Sequence, residues 1–195
     1  MNRTALIERK TKETNIEISL NLDDCSEISV KTGVGFFDHM LNSFAFHGGF
    51  GLKISCDGDL FVDGHHTVED VGIVLGQCFK AALGDKKGIT RFASAYIPMD
   101  EALAFCAADI SGRGFLVFEA RFDNERTGDF ENCLLAEFLR AFALNAETTL
   151  HVRSLYGDND HHKIEACFKA MAKALGEATT IKTNDGLTPS TKGVL

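Results

Sequence analysis

Two copies of one uncommon pattern constrain this chain more than any other feature of its sequence. His65-His66-x-x-Glu69 recurs as His161-His162-x-x-Glu165, and positions 65 and 161 differ by 96 in a chain of 195 residues. A motif repeated at about half the chain length predicts two similar halves of one duplicated unit. The halves fall at 1–88 and 89–181 of a single domain, followed by a polar arm over 182–195 with no periodicity of its own.

Hydrophobic periodicity fills in each half. Alternation predicts strands over 4–10 and 14–22, helical spacing of Phe36, Phe37, Met40, Leu41 and Phe44 predicts a helix over 36–46, and a strand over 50–56 and a helix over 67–83 follow. The second half reads in the same order: strands over 101–109 and 115–122, a helix over 131–146, a strand over 149–153 and a helix over 162–178. Such an order predicts an α+β fold of two repeated halves, each a small mixed sheet with helices on one face, packed through a shared helical layer.

Composition bounds the partners. At 45% hydrophobic and 25% charged, with two prolines, the chain can bury a substantial core. Twenty Lys+Arg against 28 Asp+Glu give a net charge of −8, which repels phosphate backbones and anionic lipid and argues against nucleic acid or a membrane surface as partner. No apolar run approaches the roughly 18–20 residues of a membrane span, and the polar opening segment does not read as a signal peptide, so a cytoplasmic location is expected. Six cysteines stand singly, without a CxxC pair, as reduced and mostly buried thiols do.

The doublets carry chemistry. On a helix, residues i and i+4 share a face, so His65 with Glu69 and His161 with Glu165 can each close on a cation. Adjacent histidines diverge by about 100°, which turns His66 and His162 toward a different ion. Carrying the repeat backward with two residues of slack pairs His39 with Glu137, each inside the first helix of its half. Two sites are therefore expected: His65, Glu69, His161 and Glu165 at one, and His66, His162, His39 and Glu137 at the other. Nitrogen-rich sets with carboxylate and no thiolate admit Mn, Fe, Co, Ni or Zn. Ligands displayed outward from helix starts also place the ions between subunits, coupling assembly to metal. Anion handles are Arg91, Arg113, Lys169 one turn beyond Glu165, and the donor-rich Pro189-Ser190-Thr191-Lys192-Gly193 run; Glu13 is an acid set in turn chemistry. These residues by themselves leave open a lyase, a dinuclear hydrolase that activates water, or a metal-storing shell.

The chain resembles the imidazoleglycerol-phosphate dehydratase family through GVGFFDHML at 33–41, FAFHG at 44–48, DGHHTVEDVGIVLG at 63–76, PMDEAL at 98–103, SGRG at 111–114, HHKIEACFKAMAKAL at 161–175 and PSTKGVL at 189–195. The resemblance implies a lyase of histidine biosynthesis that converts imidazoleglycerol phosphate to imidazoleacetol phosphate and water. It implies two Mn2+ per subunit and a hollow assembly of twenty-four subunits with metals at subunit contacts. Metal ligands carried over by motif fall on His39, His65, His66, Glu69, Glu137, His161, His162 and Glu165, the eight that the repeat already singled out. Substrate contacts fall on Glu13, His47, Arg91, Arg113, Lys169, Ser190 and Lys192, with His39 and Thr191 beside them. Many family members have His where this chain has Glu137, which makes that site more anionic here. The implied chemistry passes through a metal-stabilised imidazolate and a diazafulvene-like intermediate, with Glu13 as the first candidate to move a proton, His47 the second and Glu165 completing the catalytic set.

Overall fold

A computed structural model describes residues 3–182, 186–193 and 195. The first half runs β1 (Thr4–Lys10), β2 (Thr14–Asn21), β3 (Ile28–Lys31), α1 (Gly35–Gly48), β4 (Gly51–Gly58) and α2 (His65–Leu83). The second runs β5 (Phe92–Met99), β6 (Ala102–Asp109), β7 (Phe115–Glu119), the short β8 (Arg126–Thr127) and β9 (Phe130–Glu131) hairpin, α3 (Leu134–Asn145), β10 (Thr149–Tyr156) and α4 (Asp160–Thr179). The two four-stranded sheets have the same topology, β1-β2-β4-β3 and β5-β6-β10-β7. In each, the last two strands of the order pair in parallel and the rest antiparallel.

The repeating unit thus has one strand more than expected in each half. β3 is only four residues long, too short for alternation to register. β5 escapes for a different reason: it is an edge strand that carries Pro98 and turns Phe92 and Tyr96 outward, 57% and 64% exposed. Both doublet helices begin two residues earlier than predicted, so the histidines sit inside the first turn.

Helix pairing crosses between halves. α1 packs on α4 and α2 on α3, while α2 covers β1 and β2 and α4 covers β5 and β6. Glycines permit the close crossings: a Cβ on Gly76 would stand 2.7 Å from the Phe142 carbonyl oxygen, and one on Gly176 would stand 2.6 Å from that of Gly48. The inner face of β6 is Ala102, Ala104, Cys106 and Ala108, small enough for α4 to lie close against it. Aromatic rings then knit one core from both halves, with Phe37 5.3 Å from Phe138, Phe138 5.3 Å from Phe168, and Phe79 5.1 Å from Phe142. Such pairs add about 0.5–1.5 kcal/mol each beyond their area.

Among the cysteines, Cys78, Cys106 and Cys167 are buried, Cys56 is half-buried, and Cys25 and Cys133 are exposed; all are free thiols. Burial pushes the Cys78 and Cys167 thiols up to about 12, which keeps them protonated and inert. No helix among the described residues is long and apolar enough to cross a membrane.

Candidate metal and active site

Matching polar side chains precede the two doublets. Asp63, one residue before the Gly64 N-cap of α2, accepts from the His65 amide at 2.8 Å, and Asn159, 96 positions on and itself the N-cap of α4, accepts from the His161 amide at 2.9 Å. Each satisfies a helix-start amide. The rings diverge alike, His65 from His66 and His161 from His162 both at 82°. Along each helix the expected i, i+4 pair forms, with His65 Nε2 3.4 Å from Glu69 and His161 Nε2 3.2 Å from Glu165.

The second histidine of each doublet is anchored through Nδ1. His66 donates to Asp59 at 3.1 Å and His162 to Glu101 at 2.7 Å, leaving each Nε2 outward, 3.8 Å from Glu13 and 3.6 Å from Asp100. A carboxylate on Nδ1 sets the tautomer and raises the basicity of Nε2, the arrangement that supports metal-ligating histidines. The same hydrogen bonds raise the pKa of both imidazoles, and Glu101 is held down at about 2 by the Asn159 amide and by His162.

Among the described residues, one group of potential ligands closes within a single chain. Donor atoms of His39, His161 and Glu165 all lie within 4.8 Å of one another, with His39 Nε2 3.8 Å from Glu165 Oε2. Donors 3.2–3.8 Å apart fit around one ion at bonds of about 2.0–2.2 Å. The grouping corrects the sequence-based partition, which set His39 apart from His161 and Glu165 and placed it with His66, His162 and Glu137. The reason is the crossed helix pairing: α1 meets the second helix of the other half, so His39 faces the His161 and Glu165 side of α4. By the same crossing, α3 brings Glu137 onto α2, the helix of His65 and Glu69. There Glu137 is half-buried and paired with Arg140.

Around Glu165 the charges are ordered. This buried carboxylate gives Oε1 to Lys169 Nζ at 2.7 Å and keeps Oε2 toward His39 and His161. Burial works to raise its pKa, but Lys169 and the two imidazoles outweigh it and the net shift is downward. His47, at the end of α1, is lowered first by its own burial and then by Lys169 and Lys173, so its imidazole is neutral at pH 7.

A second polar cluster gathers where the C-terminal arm meets β6. Arg91 Nε donates to Asp109 at 2.8 Å and its NH1 to the Pro189 carbonyl at 2.8 Å, while Arg113, 70% exposed, approaches the same aspartate at 3.9 Å. The Lys192 amide donates to Ser190 Oγ at 3.2 Å, and the Thr191 and Lys192 side chains face solvent. Sequence reasoning missed Asp59, Asp63, Asn159, Asp100 and Glu101. The 96-residue offset would have linked Asp63 with Asn159, and Asp100 with Glu101 stands in the PMDEAL segment, whereas Asp59 carries no sequence signal.

Fold and site together define a duplicated α+β enzyme whose polar centre combines imidazoles and carboxylates from both halves. The model of the imidazoleglycerol-phosphate dehydratase family matches residues 32–175. The chain is 58% identical over 187 residues to the imidazoleglycerol-phosphate dehydratase of Bacillus cereus strain AH187, covering 96% of each. It is 56% identical over 193 residues to that of Lacticaseibacillus casei strain BL23, covering 99% of this chain and all of the relative. Among solved structures, the Staphylococcus aureus enzyme is similar at TM-score 0.83 and 44% identity, over 91% of this chain and 99% of that one. The Pyrococcus furiosus structure, a complex with (S)-C348, is similar at TM-score 0.83 and 35% identity, over 97% of this chain and all of that one. The chain belongs to the imidazoleglycerol-phosphate dehydratase family, lyases of histidine biosynthesis.

Proposed function

We propose that this enzyme dehydrates imidazoleglycerol phosphate to imidazoleacetol phosphate with two Mn2+ per subunit. The observation that carries the metal dependence is the convergence of His39, His161 and Glu165, ligands from both halves with no thiolate among them. His39, His161 and Glu165 would hold one ion, with His65, Glu69 and Glu137 as their counterparts across the repeat, and His66 and His162 offering Nε2 to complete the two sets. Manganese, when bound, supplies Lewis-acid polarisation of the substrate imidazole.

The chain's own residues supply proton movement and positioning. Hydroxide leaves the ring-side carbon as imidazole electrons move out toward it; Glu13 then takes the proton from the next carbon, that C–H pair forms the side-chain double bond while the ring recovers its electrons, and the resulting enol tautomerises to the ketone. His47, neutral at pH 7, is the second base in reach of the buried cluster. Glu165 is held by Lys169 in one orientation and keeps His39 and His161 aligned. Arg91, Arg113, Lys169, Ser190, Thr191 and Lys192 bind the phosphate, with Asp109 spreading the two guanidinium groups.

Complementation of a histidine auxotroph lacking this step tests the reaction. Growth on minimal medium is the expected result; no growth with well-expressed, manganese-loaded protein would overturn it.

The proposed setting is a cytoplasmic assembly of twenty-four subunits with the ions shared between chains. Three ligands in one chain leave the coordination of Mn2+ incomplete, which a neighbouring subunit can complete. The second sheet also exposes Phe92 and Tyr96 on one edge strand and Phe115 and Val117 on the other, apolar side chains suited to burial against another subunit. Chelation is therefore expected to abolish turnover and reduce the particle mass measured by light scattering. A large particle that stays intact without metal would show that the ions do not hold it together.

A further inference from the structure

Asp70 has no place in the ligand sets or the substrate contacts, yet it is a buried carboxylate on α2, one turn beyond His66. Its Oδ2 accepts from Thr14 Oγ1 at 2.6 Å and from Arg9 NH1 at 2.5 Å. Thr14, itself 3% exposed, closes the β1–β2 turn: its carbonyl accepts from the Thr11 amide at 2.9 Å, and the Thr11 hydroxyl accepts from the amides of Glu13 at 3.1 Å and Thr14 at 3.0 Å. On the far side of the turn, the Glu13 carbonyl accepts from the Asp59 amide at 3.0 Å, and Asp59 is the residue that holds His66 Nδ1. The bonds make a ring from α2 through Asp70, Thr14, Thr11, Glu13 and Asp59 back to His66. The Glu13 side chain faces outward from this ring, 53% exposed, with Oε1 3.8 Å from His66 Nε2.

The second half lacks this ring. Position 166, 96 residues beyond Asp70, is alanine, and the β5–β6 turn is the short Asp100-Glu101 pair, whose Glu101 is already committed to His162 and to the Asp158 and Asn159 amides. Both halves present an outward carboxylate to the second histidine, Glu13 in the first and Asp100 in the second, but only in the first does a buried aspartate stand behind it, and Asp70 is the group that suspends Glu13.

We infer that Asp70 is a positioning residue, which through Thr14 sets the Glu13 carboxylate against the His66 imidazole. The inference rests on the proposed proton-moving role of Glu13. A misplacement of about 1 Å at a reacting group can cost on the order of 100-fold in rate.

The test is a double-mutant cycle on the metal-loaded enzyme. Asp70→Ala is expected to lower kcat about 10- to 100-fold with KM little changed, to speed hydrogen exchange at the Glu13 and Thr14 amides, and to have under a twofold further effect on kcat in a Glu13→Gln background. Asp70→Asn retains an acceptor for Thr14 and is expected to recover most of the loss; Thr14→Val removes the same bond from the other side and serves if Asp70→Ala does not fold. An equal fold-loss with and without Glu13, or full turnover in both Asp70→Ala and Thr14→Val, would overturn the inference. Unchanged turnover in Glu13→Gln alone would instead remove the role of Glu13, and an inactive parent enzyme the proposed reaction.

Discussion

Replacing Glu13 by Gln is expected to lower kcat by about 100- to 10,000-fold, the contribution typical of a positioned general base, while secondary structure, thermal midpoint and bound manganese stay as they are. The carboxylate is 53% exposed and its backbone is held by Thr11 and Asp59, so an isosteric amide changes neither the turn nor the packing. Exposed substitutions of this kind stay within about 0.5 kcal/mol of the parent in stability. What the amide removes is the ability to take a proton. Glu101 offers the contrast: its carboxylate holds His162 Nδ1 and two backbone amides, so Glu101→Gln is a change in the support of an imidazole and its helix start. Near-parental kcat for Glu13→Gln, measured at saturating substrate and equal metal content, would move the proton transfer to His47.

The 96-residue offset made the duplication legible, and with it the α+β class and the helical layer, because both halves must present the same motif at the same point of the same unit. It did not reveal which helices meet. His39 and Glu137 were recognisable as a pair, but their neighbours depend on a crossing that is tertiary: Gly48 and Gly176 bring α1 onto α4, and Gly72 and Gly76 bring α2 onto α3. A periodicity argument works along one helix and is silent about the helix opposite. Asp59 and Asp70 were invisible for a related reason. Each acts through a partner 7 or 56 residues away in sequence, and only the folded chain makes those distances short.

Asp160→Ala is expected to destabilise the fold by about 3–5 kcal/mol, far more than Lys163→Met, although the two residues form one buried ion pair at 2.6 Å. The asymmetry comes from what each removal strands. Asp160 is 4% exposed and also accepts from the Asp123 amide at 3.0 Å, the Asn124 amide at 2.8 Å and Asn124 Nδ2 at 3.0 Å. Its loss leaves two backbone donors without their acceptor, each costing about 1–3 kcal/mol, and takes from Lys163 Nζ the nearest of its three acceptors, the Arg121 carbonyl and Asp123 remaining. Loss of Lys163 leaves Asp160 with all of those amides, and methionine fills the space of the stem, so about 1–2 kcal/mol is expected from the lost charge-assisted bond. Burial works to raise the Asp160 pKa, but Lys163 and the Asn124 donors bring it below its ordinary 3.8. Its stabilisation is accordingly present above pH 3.8 and lost as pH falls through the lowered value. Denaturant unfolding of both variants at pH 7 and at pH 3 measures this: the gap between parent and Asp160→Ala should narrow on acidification. Equal destabilisation by the two substitutions at pH 7 would show that the ion pair, and not the amide cradle, anchors the first turn of α4 on which His161 and His162 stand.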